Sequence, residues 1–265
     1  MDLLSRLLSL TPVSGHIDVR CHFGAPWRLE EAAAGPNEIA YHVLLSGSAV
    51  VEDAHFAPAR LGPGDILLFP RGSAHRLHDG SGRKPRPVQR QQSDSLTIAV
   101  NGGQGDPADV LCGRFVLGAG ADRLLRDYLP QRLVVRSAAP TGEGADAENA
   151  EKAPTRLARL IELMREETLE EGPGSESLVS HLSAALFALT LRFASHGAEP
   201  PHGLLALAQR TRLQPAVEKV GRDLAKDCPG LRRAMGERTR GDRGAGEKAA
   251  DCRVHVAARV AIEAA

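Results

Sequence analysis

The fold is decided by residues 61–78, which read LGPGDILLFPRGSAHRLH. A Pro-Gly-Asp turn at residues 63–65 is followed by the apolar run Ile66 to Phe69, and Pro70 ends that run. A short apolar segment bounded by Gly and Pro is typical of a buried β-strand. His75 and His78 follow the proline. The stretch therefore predicts a turn, a buried strand and then a histidine that returns to the interior.

Similar short segments lie on both sides of this stretch. Apolar and polar residues alternate at residues 17–21 and 96–100, and apolar runs occur at 39–45, 49–51, 110–116 and 133–135. Seven or eight short strands punctuated by Gly and Pro predict an antiparallel barrel or sandwich. Residues 80–94, rich in Arg, Gln, Ser and Pro, predict a mobile loop.

Helices are predicted after the strands. Leu157, Leu160, Ile161 and Met164 form one apolar stripe, and residues 178–193 carry a second. We therefore divide the chain into a barrel at 1–136, a linker at 137–153, a helical hairpin at 154–203 and a tail at 204–265. We expect the apolar stripes of the hairpin either to form the interface of a homodimer or to pack on the barrel of the same chain. The tail contains a third helical stretch at about 212–226 and is otherwise predicted to be irregular.

Composition narrows the function classes. The 33 basic residues balance the 33 acidic ones, which argues against a globally basic nucleic-acid binder. No apolar run has the length of a membrane span, and the N-terminus lacks the pattern of a secretory signal, so we expect a cytoplasmic protein without a membrane partner. Four cysteines without a CxxC pair predict reduced thiols rather than a disulfide scaffold.

The 61–78 stretch resembles the second motif of the cupin superfamily, and residues 41–52, YHVLLSGSAVVE, resemble the end of the first. The resemblance implies a cupin-like antiparallel β-barrel, or jelly roll. Cupin metal enzymes carry two histidines and a glutamate ahead of the hairpin glycine, which is Gly47 here. Counting back from it gives Ala33, Gly35 and Ala40, none of which binds metal.

Of the residues that bind metal in cupin enzymes, His75 is therefore the one that this sequence keeps. Strand alternation predicts that His42 points into the same barrel cavity as His75. Tyr41 and Phe69 are predicted to line this ligand cavity as well. We expect paired, hydrogen-bonded histidines and no cofactor. The alternative is a divalent metal held by His42 and His75 with help from Cys21 or His22.

A cupin barrel followed by two helices resembles the N-terminal sensor half of AraC-type transcriptional regulators, and within them those that sense reactive chlorine through cysteines. The resemblance implies Cys21 and Cys112 as the redox-sensing residues. The neighbouring cations Arg20, His22 and Arg114 are expected to lower the thiol pKa values if they face the sulfurs. Adjacent residues on a strand point to opposite faces, so adjacency alone does not establish this effect.

Regulators of this type end in two helix-turn-helix units. The third helical stretch resembles the opening helix of these units, so residues 204–265 are expected to be either a remnant of that region or a disordered tail. After Asp227 the sequence has no recognition-helix pattern, so DNA binding is implied by the resemblance but not predicted for this chain. Our leading hypothesis is a sensor domain, not an enzyme, that responds to oxidants or electrophiles through cysteine oxidation. The alternatives are a cupin module that binds a small apolar ligand, and a metal-dependent cupin enzyme.

Overall fold

The computed structural model of the chain describes residues 4, 5, 8, 13–92, 96–118, 129–136, 147–170 and 172–195, and the side chains of the first long helix at 156–167. The third predicted helix at 212–226 and the tail at 204–265 lie outside the described residues, as do Cys228 and Cys252.

Within the described residues the chain forms eleven strands followed by two long helices. The strands are β1 (Val13–Gly24), β2 (Arg28–Glu31), β3 (Glu38–Ser46), β4 (Ala49–Asp53), β5 (Ala59–Leu61), β6 (Ile66–Phe69), β7 (His75–His78), β8 (Val88–Gln92), β9 (Thr97–Asn101), β10 (Pro107–Leu117) and β11 (Leu133–Val135). The helices are α1 (Ala147–Glu170) and α2 (Ser175–Ser195).

The strands form two sheets. The larger has the order β11-β6-β3-β10-β1-β9-β8, and the smaller has the order β2-β7-β4-β5. Neighbouring strands are antiparallel except for β1 and β9, which run parallel. The predicted fold class, mainly β with a jelly-roll-like barrel and a helical hairpin, is confirmed.

The larger sheet separates two apolar cores. One face packs against the helices through a core that includes Ile39, Tyr41 and Phe187. The other face packs against the smaller sheet through a core that includes Leu44 and Phe69. Residues of one strand alternate between these cores because successive side chains in a strand point to opposite faces.

A β-bulge in β1 changes which residues face each core. The register with β10 shifts between Ile17 and Val19, so that Asp18 is an extra residue in β1. Ile17 accordingly lies in the core under the helices, whereas Cys21 lies in the core between the sheets. Arg114 of β10 holds the bulge by donating two hydrogen bonds to the Asp18 carboxylate, at 3.0 and 2.8 Å.

Three expectations about local structure need correction. The predicted loop at 80–94 contains β8, an edge strand whose side chains are all exposed, so its polar composition hid the strand. The short strands β2, β5 and β7 lie outside the predicted runs. Helix α1 begins at Ala147 rather than after residue 153, because the Ala, Glu and Lys residues assigned to the linker are strong helix formers.

Helix α2 is long and apolar enough to cross a membrane by length and composition alone. Leu186, Phe187 and Leu191 are fully buried in the core between the helices and the larger sheet. This packing accounts for the buried third of the apolar stretch in α2.

Candidate functional site

Four chemically active side chains meet in the core between the two sheets. The neighbouring strands β3, β10 and β1 contribute His42, Cys112 and Cys21, and β7 of the opposite sheet contributes His75. His42 lies directly opposite Cys112 in the β3–β10 ladder. Cys21 is paired with Val110, so it lies diagonally from Cys112 across the β1–β10 ladder.

The contacts within this cluster are short. The Nδ1 atom of His42 lies 2.9 Å from the sulfur of Cys112, and its Nε2 atom lies 2.7 Å from Nε2 of His75. The Nδ1 atom of His75 lies 2.8 Å from the carbonyl oxygen of Ser73. Phe69 stacks on the His75 ring, with 3.7 Å between the ring centroids. Both thiols are buried, with Cys21 fully inaccessible and Cys112 3% exposed.

The carbonyl of Ser73 determines the direction of every hydrogen bond in the cluster. A carbonyl can only accept, so Nδ1 of His75 carries a proton, and in the neutral ring Nε2 is then an acceptor. His42 must therefore donate from Nε2 to His75, which leaves Nδ1 of His42 to accept from the Cys112 thiol. The chain of donors runs from Cys112 through His42 and His75 to Ser73.

The surroundings favour the neutral form of each group. Burial and then the neighbouring His75 hold the pKa of His42 well below its ordinary value. Burial also lowers the pKa of His75, although the Ser73 carbonyl and Asp53 oppose this change. The pKa of Cys112 is raised well above its ordinary value, first by its hydrogen bond with Cys21 and then by burial.

The expectation that nearby cations lower the thiol pKa values is wrong for Cys112. Arg20 is engaged with Asp109, at 2.6 Å, and His22 is exposed, 3.5 Å from the same carboxylate. Arg114 is bound to the carboxylates of Asp18 and Glu38 and is largely exposed. Strand alternation turns Arg20 and His22 away from the core that holds Cys21. Arg114 lies on the same face of β10 as Cys112, but its charge is taken up by the two carboxylates.

The predicted cavity residues separate into two groups. His42, Phe69 and His75 lie together between the sheets. Tyr41 does not join them, because it lies on the other face of β3, stacks on Phe115 and donates a hydrogen bond to the carbonyl of His16 at 3.3 Å. This correction follows from the alternation of adjacent residues in a strand.

The histidine pair is hydrogen bonded in this structure. Among the described residues, no group of three or more His, Cys, Asp or Glu side chains is arranged to hold a metal ion. The 2.7 Å between the two Nε2 atoms is shorter than the separation of about 3.3 Å that two nitrogens have on one tetrahedral zinc ion. His22, which the metal alternative takes as a further ligand, is exposed. A divalent metal at His42 and His75 stays an untested alternative.

Sequence reasoning missed the residues that orient the cluster. Ser73 fixes the His75 ring through its backbone, which no side-chain pattern could reveal. Asp53, whose side chain is 1% exposed, lies opposite His75 in the β4–β7 ladder and pairs with Arg132 at 2.8 Å. The position of Asp53 at the end of the apolar strand β4 was the sequence feature from which it could have been singled out.

A cleft of about 220 Å³ lies elsewhere, beside the smaller sheet, and is lined by Trp27, Arg28, Glu52, Arg76, His78, Asp79, Gly82 and Arg83. None of the residues predicted to line the ligand cavity contributes to it. Its lining is mostly charged, in contrast to the apolar pocket that the binding-module alternative expects.

The two packed sheets and the interior histidines define a cupin-type β-sandwich that keeps His75 but has Ala33, Gly35 and Ala40 at the other three metal positions. A comparison with protein-family models agrees, because the model described as cupin matches residues 2–195. The chain therefore belongs to the cupin family.

Its relatives among curated proteins are named as transcriptional regulators. The HTH-type transcriptional regulator MtrA of Neisseria gonorrhoeae is 27% identical over 194 residues, covering 72% of this chain and 58% of MtrA. The RCS-specific HTH-type transcriptional activator RclR of Escherichia coli K12 is 27% identical over 220 residues, covering 83% of this chain and 66% of RclR. The chain thus spans less than two thirds of the length of each relative. The resemblance to regulators of this kind is confirmed.

Among solved structures, that of ToxT from Vibrio cholerae O395 aligns over 95% of this chain and 77% of the ToxT chain, with a TM-score of 0.34 and 12% identity.

Proposed function

We propose that this chain is the sensor region of an AraC-type transcriptional regulator and responds to oxidants or electrophiles through Cys21 and Cys112. The observation that carries the proposal is the placement of the two buried thiols as diagonal neighbours on adjacent strands of one sheet. The cupin family match and the names of the relatives support the regulatory part.

The proposed reaction with hypochlorous acid is balanced as follows. Two thiols and one HOCl give a disulfide, chloride, a proton and water. The two sulfurs together lose two electrons, and the chlorine of HOCl takes them up as chloride. Each thiol loses its S–H bond, the Cl–O bond breaks, and one S–S bond forms. A second thiol within reach favours this outcome over further oxidation of a single sulfur.

Disulfide formation requires movement of the two strands. Diagonal neighbours on antiparallel strands have Cα atoms about 7–8 Å apart, whereas disulfide-bonded cysteines usually have them within about 6.8 Å. Cys21 and Cys112 are diagonal neighbours. We therefore propose that the crosslink draws β1 and β10 together by about 1 Å. This strain makes the oxidised barrel different from the reduced one, which a sensor needs.

The test is hypochlorite titration of the full chain carrying Cys228→Ser and Cys252→Ser, so that Cys21 and Cys112 are the remaining thiols. The protein is reduced, freed of metal with a chelator, treated with one equivalent of hypochlorite and digested without reduction. Mass spectrometry should find the Cys21–Cys112 crosslink, and Cys21→Ser or Cys112→Ser should abolish it. Recovery of both thiols unmodified from the titrated chain would contradict the proposal.

We further propose a cytoplasmic homodimer without a resident cofactor. Two exposed leucines, Leu163 on α1 and Leu178 on α2, support the helical hairpin as the dimer face. Leu163→Glu together with Leu178→Glu should shift the mass measured by light scattering from dimer to monomer. A monomeric unmodified chain at high concentration would contradict the dimer. Elemental analysis of metal-replete protein should find metal well below one ion per chain.

A further inference from the structure

We infer that Cys112 is the thiol that reacts first, that His42 is the base that receives its proton, and that Cys21 is the resolving thiol. This inference rests on the function proposed above and assigns roles within the same site. Its basis is the unequal environment of the two sulfurs. His42 Nδ1 lies 2.9 Å from the Cys112 sulfur, whereas the fully buried Cys21 lies diagonally from Cys112 across the β1–β10 ladder.

The direction of the hydrogen bonds makes Nδ1 of His42 an acceptor. Because the Ser73 carbonyl fixes the proton on Nδ1 of His75, the lone pair of His42 Nδ1 faces the Cys112 thiol. The Cys112 proton therefore has a base within hydrogen-bond distance before any oxidant arrives, as general base catalysis requires. His75 then acts as a positioning residue, since it holds His42 in the tautomer that can accept.

The first step with hypochlorous acid moves one proton. The sulfur of Cys112 bonds to chlorine as the Cl–O bond breaks, and the thiol proton passes to Nδ1 of His42. That proton ends on the departing hydroxide, which leaves as water. In the second step the sulfur of Cys21 attacks Cys112, the S–S bond forms and the S–Cl bond breaks. Chloride leaves, and the Cys21 proton is released to solvent.

The cluster is neutral at rest, which gives the mechanism a distinct pH dependence. A base-assisted thiol reacts at a constant rate as long as His42 is unprotonated and Cys112 keeps its proton. A thiol that must ionise by itself reacts about tenfold faster for each pH unit below its pKa. The charged or titratable groups that act on the cluster from the packed strands are Asp18 and Cys21 of β1, Glu31 of β2, Asp53 of β4 and His75 of β7.

The experiment uses methyl methanethiosulfonate, a small uncharged reagent that breaks its S–SO₂ bond, transfers a methylthio group to a thiol and releases methanesulfinate. The full chain is prepared with Cys112 as its single cysteine, in a background of Cys21→Ser, Cys228→Ser and Cys252→Ser. Rates are measured by mass spectrometry between about pH 6.5 and 8.5, where His42 is neutral. A second chain keeps Cys21 as its single cysteine.

We expect the rate of Cys112 to be nearly flat across this range and at least tenfold above that of Cys21. His42→Asn keeps an oxygen acceptor near the thiol but removes the base. It should lower the rate near pH 7 by about 100-fold and restore a tenfold rise per pH unit. His22→Gln, which changes an exposed histidine next to Cys21, is the matched control and should leave the profile unchanged. Circular dichroism of each variant checks that it is folded.

A purely structural role for His42 predicts the opposite effect, because a loosened core would expose Cys112 and raise its rate. Parallel pH profiles in the His42→Asn chain and its parent, or a faster Cys21, would overturn the inference. The two proposals fail separately. A hypochlorite crosslink without dependence on His42 refutes this inference and leaves the sensor proposal standing. A His42-dependent Cys112 in a chain that never crosslinks refutes the sensor proposal and the resolving role of Cys21, and leaves the roles of Cys112 and His42 standing.

Discussion

Acidification should destabilise the domain because two buried histidines are held neutral. The folded-state pKa values of His42 and His75 are lowered, whereas in the unfolded chain both titrate near their ordinary value of about 6.5. Below that pH the unfolded chain binds more protons than the folded one, so the free energy of unfolding decreases as the pH falls. Each histidine that stays neutral contributes a loss of about 1.4 kcal/mol between pH 7.5 and 5.5.

The full loss for both histidines is about 2.7 kcal/mol. Because His75 has the Ser73 carbonyl and Asp53 favouring its charged form, we expect the measured value to lie between the one-histidine and two-histidine figures. Glu31 acts in the opposite direction, since its raised pKa stabilises the folded state as the pH falls further. The assay is urea unfolding followed by circular dichroism at both pH values.

The matched control for this prediction is the double variant His42→Asn, His75→Gln, which should lose most of the difference between the two pH values. His22→Gln should keep it. Because each variant is compared with itself at the two pH values, any general destabilisation by the substitutions cancels from the difference in the free energy of unfolding. A wild-type chain that is equally stable at both pH values, or a double variant that loses as much as wild type, would refute the reasoning.

Three further predictions concern stability near neutral pH, each measured by urea unfolding. Gly15→Ala would place a Cβ atom 2.3 Å from Cβ of Ser183 in α2, so we expect a loss of about 1–3 kcal/mol, partly restored by adding Ser183→Gly. An unchanged Gly15→Ala chain would mean that α2 does not dock there. Phe187→Ala removes a fully buried ring that packs 5.0 Å from Phe115 and should cost about 3–5 kcal/mol. Arg132→Ala removes the counter-ion of the buried Asp53 carboxylate, whose Oδ1 keeps its hydrogen bonds from the backbone N–H groups of His55 and Phe56, and should cost about 1–3 kcal/mol. A loss below about 1 kcal/mol would show that solvent reaches that carboxylate.

The sequence predicted those features that depend on short-range patterns. The turn, strand and returning histidine of residues 61–78 were found as expected, because Gly, Pro and apolar runs act locally. Strand alternation also predicted correctly that His42 lies on the same side of its strand as His75. The same rule excludes Tyr41, which was expected in the cavity with Phe69 as an aromatic contact for an apolar ligand.

Other features depend on pairing between distant segments. Whether Cys21 meets Cys112 is determined by the register of β1 against β10 and by the bulge at Asp18. A bulge adds one residue and reverses the faces of everything beyond it, and no residue type announces it unambiguously. The orientation of the histidine rings depends on a single carbonyl, that of Ser73, which every residue type possesses. The expectation that nearby cations lower the thiol pKa values was wrong for a related reason. Proximity in sequence does not tell on which face of a strand a cation lies or which carboxylate it pairs with.

The two faces of β1 and β10 give a route by which oxidation could reach the helices. On the inner face these strands carry Cys21 and Cys112, and on the outer face they carry Gly15 and Phe115, which contact α2. A Cβ at Gly15 would already overlap Ser183, so the sheet and helix leave almost no space between them there. A movement of about 1 Å between these strands on disulfide formation would therefore disturb the contact with α2, because tightly packed surfaces transmit strain. The helical hairpin would then respond to a reaction on the far side of the sheet without contacting either thiol.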